Sequence, residues 1–382
     1  MELYFHIPFC VRKCFYCDFL SAPADGQTKT AYMEALRRET ALRAEEYCCD
    51  SVTSVFIGGG TPSAVEAEEI AALLSTVRQH YPLAEDAEIT IEVNPGTVTA
   101  EKLEVYRVAG INRLSIGLQS ADDRELAVIG RIHTWQQFLD TYGLAVGAGY
   151  RNINIDVMST LPGQTLESYR RTLKKILALN PQPAHISAYS LILEEGTAFW
   201  DMTQRGELIL PDEDADRQMY SETKRVLAGA GYSRYEISNY AKPGHACRHN
   251  CGYWRRDEYA GFGIGAASLV RESRFRNGDS LTAYLRDPVG CREELQVLSP
   301  QEQMEEFMFL GLRMTEGVSE RDFEDRFGQR LADIYGGVIQ ANLRDGLLEW
   351  QCGEEHGNAR RLALTERGLD ISNYVMAQFL LT

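Results

Sequence analysis

Cys10-Val11-Arg12-Lys13-Cys14-Phe15-Tyr16-Cys17 is the stretch that decides the fold, and it closely follows the first apolar segment of the chain, residues 3–7. Its three cysteines are separated by three and then two residues, so their thiolates can converge on one metal centre. Three protein ligands leave one iron of a four-iron cluster open to another ligand. Zinc is the weaker alternative because structural zinc needs a fourth ligand, which would be His6 or a distant residue. A disulfide is a poor alternative, because three cysteines cannot all pair with one another and no secretory signal precedes them.

The first 200 residues alternate between predicted strands and predicted helices. Apolar, β-branched runs predict six strands, and segments of helical periodicity follow them. Strands that are apolar on both faces are typical of a parallel sheet covered by helices. Six units are too few for a closed eight-stranded barrel, so the pattern indicates an α/β fold, either an open, partial (β/α)6 barrel or a doubly wound sheet. The predicted strands are residues 3–7, 52–57, 88–93, 113–120, 152–158 and 185–190.

Residues suited to chemistry stand at the carboxyl ends of these predicted strands. The cysteine stretch, the Gly-Gly-Gly-Thr-Pro segment at 58–62, and then Glu92, Gln119 and Asp156 fall at the ends of strands one to five in turn. In barrels and open α/β sheets this edge carries the active site. Taken singly, the glycines could be only a turn and Glu92 a solvated strand end. Taken together, they predict a site at this edge.

The Cys-x3-Cys-x2-Cys pattern after a first strand resembles the signature of the radical S-adenosylmethionine (SAM) superfamily. The segment Tyr4-Phe5-His6-Ile7-Pro8-Phe9-Cys10 resembles the branch that contains oxygen-independent coproporphyrinogen III dehydrogenase and the HemW-type haem chaperones. The resemblance runs along most of the chain and favours the partial barrel, which is the superfamily's fold. It implies a [4Fe–4S] cluster held by Cys10, Cys14 and Cys17, with SAM bound to the open iron.

The resemblance also implies which residues surround SAM. Gly59, Gly60 and Thr61 match a loop whose backbone approaches the methionyl amino group closely, because glycine has no Cβ. Arg131 matches a residue that pairs with the SAM carboxylate by a charge-assisted bond. Without the resemblance, Arg131 could equally be a surface salt bridge. The other residues that the family's motifs place at the amino group, at the ribose or near the ligand are Tyr4, Tyr16, Glu92, Gln119 and Asp156.

Two departures from the dehydrogenase pattern favour the chaperone side of this branch. The dehydrogenase carries a fourth cysteine two residues after the third, whereas this chain has Asp18 and Phe19 after Cys17. The dehydrogenase also has a long arm before its cysteines, and here only nine residues precede Cys10.

A second motif, His249-Asn250-Cys251-Gly252-Tyr253-Trp254, resembles the His-Asn-x-x-Tyr-Trp haem-binding motif of HemW-type proteins. Histidine is a common axial ligand of haem iron, and Tyr253 and Trp254 could stack on the macrocycle. The resemblance therefore implies haem contact by His249, Asn250, Tyr253 and Trp254. From the residues alone, His249 would be interpreted as a structural histidine, and the neighbouring His245, Cys247 and Cys251 could also ligate iron.

Composition and charge narrow the class of protein. The chain has 382 residues, of which 44% are hydrophobic and 25% charged, and its net charge is −16. Such acidity argues against a nucleic-acid or anionic-membrane partner. No apolar run approaches a membrane span, and no targeting segment is evident, so we expect a cytoplasmic protein. Its nine cysteines then stay reduced, and we interpret Cys48, Cys49, Cys291 and Cys352 as packing residues.

We predict three parts of the chain: the radical SAM partial barrel at 1–200, a barrel extension with the haem-motif region at 201–298, and a C-terminal winged-helix-like α+β domain at 299–382. The last part is predicted from three helices followed by a two-stranded wing. It contains 15 acidic residues, 8 arginines and no lysine, a net charge of −7. This is the opposite of the basic surface that DNA binding requires.

The favoured function is that of a haem chaperone, whose partners are haem and haemoprotein acceptors and which could form a homodimer. The first alternative is oxygen-independent coproporphyrinogen III dehydrogenase, which decarboxylates the substrate's propionates. A radical SAM enzyme acting on an unrelated substrate is the second alternative.

Overall fold

The structure, a computed structural model, describes residues 1–47, 51–352 and 360–381. It is organised around six parallel strands, each hydrogen-bonded to the next one along the chain. The strands are β1 (Glu2–Ile7), β2 (Val52–Gly59), β3 (Leu83–Val93), β4 (Arg113–Gln119), β5 (Ile153–Ser159) and β6 (His185–Ser190). The helices between them are α1 (Gly26–Leu42), α2 (Ala67–His80), α3 (Ala100–Val108), α4 (Asp123–Val128), α5 (Trp135–Gly147) and α6 (Leu166–Leu177).

Further strands extend the sheet on both sides. The order of the twelve strands is β12-β11-β10-β9-β1-β2-β3-β4-β5-β6-β8-β7, where β9 is parallel to β1 and β8 is antiparallel to β6. The added elements are α7 (Ala198–Gln204), α8 (Glu213–Gly229), β7 (Ser233–Arg234), β8 (Asn239–Ala241), α9 (Arg248–Arg255), β9 (Tyr259–Phe262), β10 (Ala267–Val270), β11 (Ser273–Asn277), α10 (Leu281–Arg286) and β12 (Arg292–Val297).

This order confirms the α/β fold and the open, partial (β/α)6 barrel. In a doubly wound sheet the order of the strands reverses at a switch point, whereas β1 to β6 lie side by side in the order in which they occur along the chain. The sequence pattern of residues 235–237 also predicts a strand, and this prediction is wrong, because these residues form the turn between β7 and β8. The Glu236 carboxylate accepts hydrogen bonds from the backbone N–H of Ser238 at 2.8 Å and from Asn239 Nδ2 at 2.6 Å, and these bonds stabilise the turn.

The local sequence explains where the barrel helices begin. Thr134 and Thr165 are the N-caps of α5 and α6, and each accepts a hydrogen bond from the backbone N–H three residues later. In both helices the third residue, Gln137 or Ser168, bonds back to the N-cap, which completes a capping box. Each cap is worth about 1 kcal/mol. These caps therefore set the residues at which α5 and α6 begin.

The C-terminal part has the element order of a winged helix and its own apolar cluster. A three-stranded antiparallel sheet, β13-β15-β14, packs with its helices. The sequence predicts only two of these strands, because the third is two residues long. The division of the chain at 200 and 298 stays a prediction. The elements are α11 (Pro300–Gly311), β13 (Val318–Ser319), α12 (Glu320–Phe327), α13 (Leu331–Arg344), β14 (Leu348–Gln351), β15 (Arg361–Leu364), α14 (Glu366–Asp370) and α15 (Ser372–Ala377).

The cysteines predicted to be packing residues differ in their burial. Cys291 is half-buried and packs against the barrel core. Cys352 is exposed at the end of β14, so the prediction is wrong there. Cys48 and Cys49 lie outside the described residues. None of the described helices combines the length and the apolar character that a membrane crossing needs.

Candidate functional site

A cavity of about 360 Å³, here called the main cavity, opens at the carboxyl ends of β1 to β5. Its walls carry twelve of the sixteen residues predicted from the sequence, so the separate strand ends do meet at one site. Tyr4, His249, Tyr253 and Trp254 do not line it. The twelve residues are Cys10, Cys14, Tyr16, Cys17, Gly59, Gly60, Thr61, Glu92, Gln119, Arg131, Asp156 and Asn250.

The three cysteines of the loop after β1 are half-buried in one wall of the main cavity. Burial raises the pKa of the Cys14 thiol, whereas the Arg131 guanidinium lowers it. Burial also raises the pKa of Cys17 to about 11. Because thiolates are the metal ligands, loading a cluster here must release protons. Among the described residues, no group of three His, Cys, Asp or Glu side chains is placed to hold a single metal ion.

Gly59 and Gly60 let the loop after β2 pass close to the loop after β1. Gly59 has a φ of 111°, and a Cβ there would lie 2.6 Å from the His6 ring. A Cβ on Gly60 would lie 2.8 Å from the Phe9 carbonyl oxygen. The backbone N–H of Gly59 donates a 3.0 Å hydrogen bond to Glu92 Oε2, which ties this loop to β3. The glycines therefore serve a close approach of two site loops and are more than a turn.

Two half-buried carboxyl groups, of Glu92 and Asp156, and the half-buried guanidinium of Arg131 line the same cavity. Burial, and then the charge of the neighbouring Asp156, raises the pKa of Glu92 to about 8. Burial also raises the pKa of Asp156. Arg131 donates a 2.8 Å hydrogen bond to Asn94 Oδ1, but its buried Nε has no hydrogen-bond partner among the described residues. A free donor for a carboxylate thus stands beside acceptors for ammonium and hydroxyl groups, which fits the methionyl and ribose parts of SAM.

Gln119 is held in an uncommon backbone conformation at the end of β4. Its φ is 68°, which is unusual for a residue other than glycine. Its Oε1 accepts a 3.2 Å hydrogen bond from the Tyr189 hydroxyl, and its side chain lines the main cavity. Tyr16 also lines this cavity, whereas the Tyr4 hydroxyl lies 3.0 Å from His6 Nδ1, in a different part of the barrel interior.

The sequence interpretation missed several cavity residues on β4, β5 and β6. Within β4, Leu114, Ile116 and Leu118 pack in the core, while the residues between them line the cavity. The same alternation holds in β5 and β6. This two-residue period is visible in the sequence and could have revealed these positions. The missed residues are Arg113, Ser115, Gly117, Asn154, Ser187 and Tyr189.

The predicted haem motif forms α9, and its histidine is buried. His249 is 1% exposed, with Nδ1 at 2.8 Å from Ser54 Oγ and Nε2 at 3.1 Å from the Tyr253 hydroxyl. The imidazole stacks on the Phe56 ring at a centroid distance of 5.1 Å. Burial, and then the charge of Arg113, lowers the pKa of His249 to about 3, so the ring is neutral. In this arrangement both ring nitrogens already have partners.

The other motif residues face two different cavities. Asn250 reaches the main cavity. Tyr253 and Trp254 border a second cavity of about 310 Å³, here called the aromatic cavity, together with Tyr4 and Tyr259. The Trp254 ring packs against the Arg313 guanidinium at 4.2 Å, and the indole Nε1 is buried without a hydrogen-bond partner among the described residues. The neighbouring thiols, Cys247 and Cys251, are buried.

Glu2, which packs beside α9, makes the free energy of unfolding depend on pH. Its carboxyl group is buried beside α9, and Oε2 lies 3.6 Å from His249 Nδ1. Burial raises the pKa of Glu2 from 4.5 to about 9. The folded protein therefore keeps a proton that the unfolded chain loses. The resulting contribution to the free energy of unfolding is complete below pH 4.5 and is lost as the pH rises to about 9.

We therefore expect Glu2→Gln to flatten the dependence of stability on pH, because glutamine cannot lose a proton. At about pH 9 the variant should exceed the wild type in free energy of unfolding by up to about 6 kcal/mol, because each unit of the pKa rise is worth about 1.36 kcal/mol, and at about pH 4 the two should agree. Urea unfolding at both pH values measures this difference. The exposed Glu34→Gln on α1 is the matched control and should follow the wild type at both. Equal pH profiles for Glu2→Gln and the wild type would contradict the prediction.

The open barrel and its cysteine loop define the class of protein. The family model of the Radical SAM superfamily matches residues 4–176, and that of the HemN C-terminal domain matches residues 298–371. Among solved structures, coproporphyrinogen III oxidase (HemN) from Escherichia coli matches with a TM-score of 0.83 over 99% of this chain and 89% of that chain. At 22% identity this similarity shows a shared fold.

Relatives of nearly equal length narrow the class. The heme chaperone HemW of Lactococcus lactis is 37% identical over 99% of this chain and 97% of its own length. HemW of Bacillus subtilis is 34% identical over 99% of this chain and 98% of its own length. HemW of Escherichia coli is 39% identical over 94% of this chain and 95% of its own length. This chain therefore belongs to the HemW family within the radical SAM superfamily.

Proposed function

We propose that this chain is a haem chaperone of the radical SAM type, which binds haem and passes it to haemoproteins in the cytoplasm. Its similarity to heme chaperone HemW proteins along almost the whole chain is the observation that supports this most. Asp18 and Phe19 after Cys17, in place of a fourth cysteine, favour the same function. A homodimer and the lack of a nucleic-acid partner stay predictions.

We propose that Cys10, Cys14 and Cys17 hold a [4Fe–4S] cluster and that SAM occupies the main cavity. When bound, the cluster supplies an open iron for SAM and an electron. Arg131 then pairs with the SAM carboxylate through the donors that it leaves free. Glu92 retains its proton at neutral pH, and an ammonium group bound beside it would lower its pKa and release that proton.

The remaining SAM roles belong to backbone and side-chain acceptors around the cavity. Gly59, Gly60 and Thr61 approach the methionyl amino group, and Gln119 and Asp156 accept hydrogen bonds from ribose hydroxyls. Tyr16 closes the cavity beside the cysteines. Tyr4 belongs to the aromatic cavity, so we assign it an indirect role through His6.

We propose that haem contacts the motif helix α9 through His249, Asn250, Tyr253 and Trp254. Axial ligation by His249 requires the imidazole Nε2 to exchange the Tyr253 hydroxyl for iron. Tyr253→Phe removes that hydroxyl and keeps the ring. We therefore expect Tyr253→Phe to bind haem at least as tightly as the wild type, and His249→Ala to lose most of the Soret band.

Haem titration of the anaerobically reconstituted full chain, followed at the Soret band, measures both variants. Thermal unfolding in the same buffer shows whether each variant is folded. A folded His249→Ala protein with an unchanged Soret band would rule out His249 as the ligand and leave it a structural histidine.

The same reconstituted sample tests the function against its alternative. A haem chaperone should transfer its bound haem to an apo-haemoprotein and should leave coproporphyrinogen III unchanged in the presence of SAM and a reductant. Production of protoporphyrinogen IX would reject the proposal in favour of the dehydrogenase. Cleavage of SAM with neither haem nor porphyrin binding would reject both in favour of another radical SAM reaction.

A further inference from the structure

Arg113 is a buried cation whose side chain makes no hydrogen bond to the described residues. It lies at the first residue of β4, is 2% exposed, and lines the main cavity at the end opposite the strand ends, here called the floor. Among the described residues the one carboxylate oxygen within 4.0 Å is Glu88 Oε2, at 4.0 Å from Arg113 Nε. A guanidinium carries five N–H donors, and leaving them unpaired inside a protein is unfavourable. Arg113 therefore has the capacity to bind a ligand group that reaches the floor.

Asn250 of α9 also lines this cavity. Its side chain is half-buried and makes no hydrogen bond in the part of the chain that the structure describes. Glu88 connects Arg113 with the start of α9, because its Oε2 lies 4.0 Å from Arg113 Nε and its Oε1 accepts the backbone N–H of Arg248 at 3.0 Å. The floor thus combines a free guanidinium with a free carboxamide.

Charge makes the main cavity suitable for an anion. Arg113 and Arg131 each lower the pKa of Glu92 and of Asp156, so the two guanidinium groups act on the same carboxyl groups. Because the pKa of Glu92 is about 8, most of its carboxyl groups are neutral at neutral pH. Arg131 and Arg113 then face the carboxyl groups of Asp156 and Glu88. Arg12 and Lys13 also line the cavity, so cations outnumber carboxylates there in a chain whose net charge is −16. Such a local excess of positive charge favours a carboxylate ligand.

We propose that Arg113 and Asn250 form a carboxylate-binding subsite at the floor of the main cavity, distinct from the position of Arg131. A propionate of a tetrapyrrole is the ligand that this subsite takes, an assignment that rests on the proposed function. Asn250 then links the haem motif to the SAM cavity, which the buried side chain of His249 does not. The carboxylate of SAM is another group that could occupy this subsite. The experiment must therefore distinguish a haem propionate from the SAM carboxylate.

The experiment compares haem with haem dimethyl ester, in which both propionates are masked. The reconstituted full chain is titrated with each compound, and its affinity for SAM and for decarboxylated SAM is measured by calorimetry. We expect Arg113→Gln to weaken haem binding roughly 10–100-fold and Asn250→Asp roughly 10-fold, with the diester and both SAM compounds bound as by the wild type. Arg248→Gln, an exposed arginine at the start of α9, is the matched control.

Three outcomes are decisive. Haem affinities of both variants within about twofold of the wild type would overturn the subsite while leaving the proposed function intact. Weaker binding of SAM but not of decarboxylated SAM would support the subsite and assign its carboxylate to SAM. If the wild type binds no haem, the proposed function fails, and the SAM titrations alone decide the subsite. Asn250 is half-buried, so Asn250→Asp keeps the test valid if Arg113→Gln does not fold.

Discussion

Replacing Cys14 with serine is expected to abolish cluster assembly. A hydroxyl does not ionise near neutral pH as a thiol can, so the cluster would keep only two of its three protein ligands. After anaerobic reconstitution with iron and sulfide, the broad absorbance near about 400 nm should disappear, and bound iron should fall from about four atoms per chain to almost none. Cys10→Ser and Cys17→Ser should have the same effect, because the three thiols share one wall of the cavity.

Cys352→Ser is the matched control, since Cys352 is exposed and belongs to the C-terminal part of the chain. It should assemble the cluster like the wild type. If Cys14→Ser retained the absorbance and the iron, the ligands would be wrongly assigned. If anaerobic wild-type protein held zinc in place of iron, the SAM roles of the cavity residues would lose their basis.

The location of the candidate site could be predicted because it follows from chain order alone. Parallel strands place their carboxyl ends at one edge, so the cysteine loop, Gly59, Glu92, Gln119 and Asp156 had to meet once the six strands were recognised. The cavity floor could also have been predicted, because Arg113 lies in phase with Ser115 and Gln119 in an alternating strand. The strand ends do not reveal Arg113, because it lies at the first residue of β4, and only the two-residue period places it on the cavity side.

The position of His249 could not be predicted, because it depends on packing between distant segments. Its environment is formed by Ser54 and Phe56 of β2 and by Glu2 of β1, which precede His249 by 195, 193 and 247 residues. The motif spacing places His249 and Tyr253 one helical turn apart but does not say which face of α9 enters the barrel. The residues alone indicated a structural histidine, and the contacts of the imidazole agree with that interpretation.

The short elements of the second half were missed for a related reason. Strands β7 and β13 have two residues each, too few for any periodicity to be visible. They exist because a longer neighbour supplies the hydrogen bonds, as β8 does for β7 and β15 for β13. The residues at 235–237 looked like a strand because Tyr235 and Ile237 flank Glu236, yet the bonds that Glu236 accepts make them a turn.

Arg131→Gln is expected to weaken SAM binding roughly 10–100-fold, which corresponds to about 1.5–3 kcal/mol for a charge-assisted hydrogen bond. Arg131 is half-buried and lines the main cavity. It donates one hydrogen bond to Asn94, and its Nε has no partner among the described residues. Glutamine keeps part of the side chain's bulk and removes the charge. The affinity for decarboxylated SAM should change by no more than about twofold, because that analogue has no group for the guanidinium to bind.

A second readout separates this role from a merely structural one. The Arg131 guanidinium lowers the pKa of the Cys14 thiol, so removing it should raise that pKa. Cluster assembly should then require a higher pH in Arg131→Gln than in the wild type, since fewer thiolates are present at a given pH. Arg124→Gln is the matched control, because Arg124 is exposed on α4, does not line the main cavity and is not among the groups that shift the pKa of Cys14.

The two readouts together decide what Arg131 binds. Loss of affinity for SAM and for its decarboxylated analogue in equal measure would mean that Arg131 shapes the cavity without contacting the carboxylate. An unchanged affinity for both compounds would mean that the SAM carboxylate binds elsewhere. The buried guanidinium of Arg113, which has no hydrogen-bond partner among the described residues, also lines the main cavity. Selective loss for SAM, accompanied by the shift in assembly pH, is the result that the geometry requires.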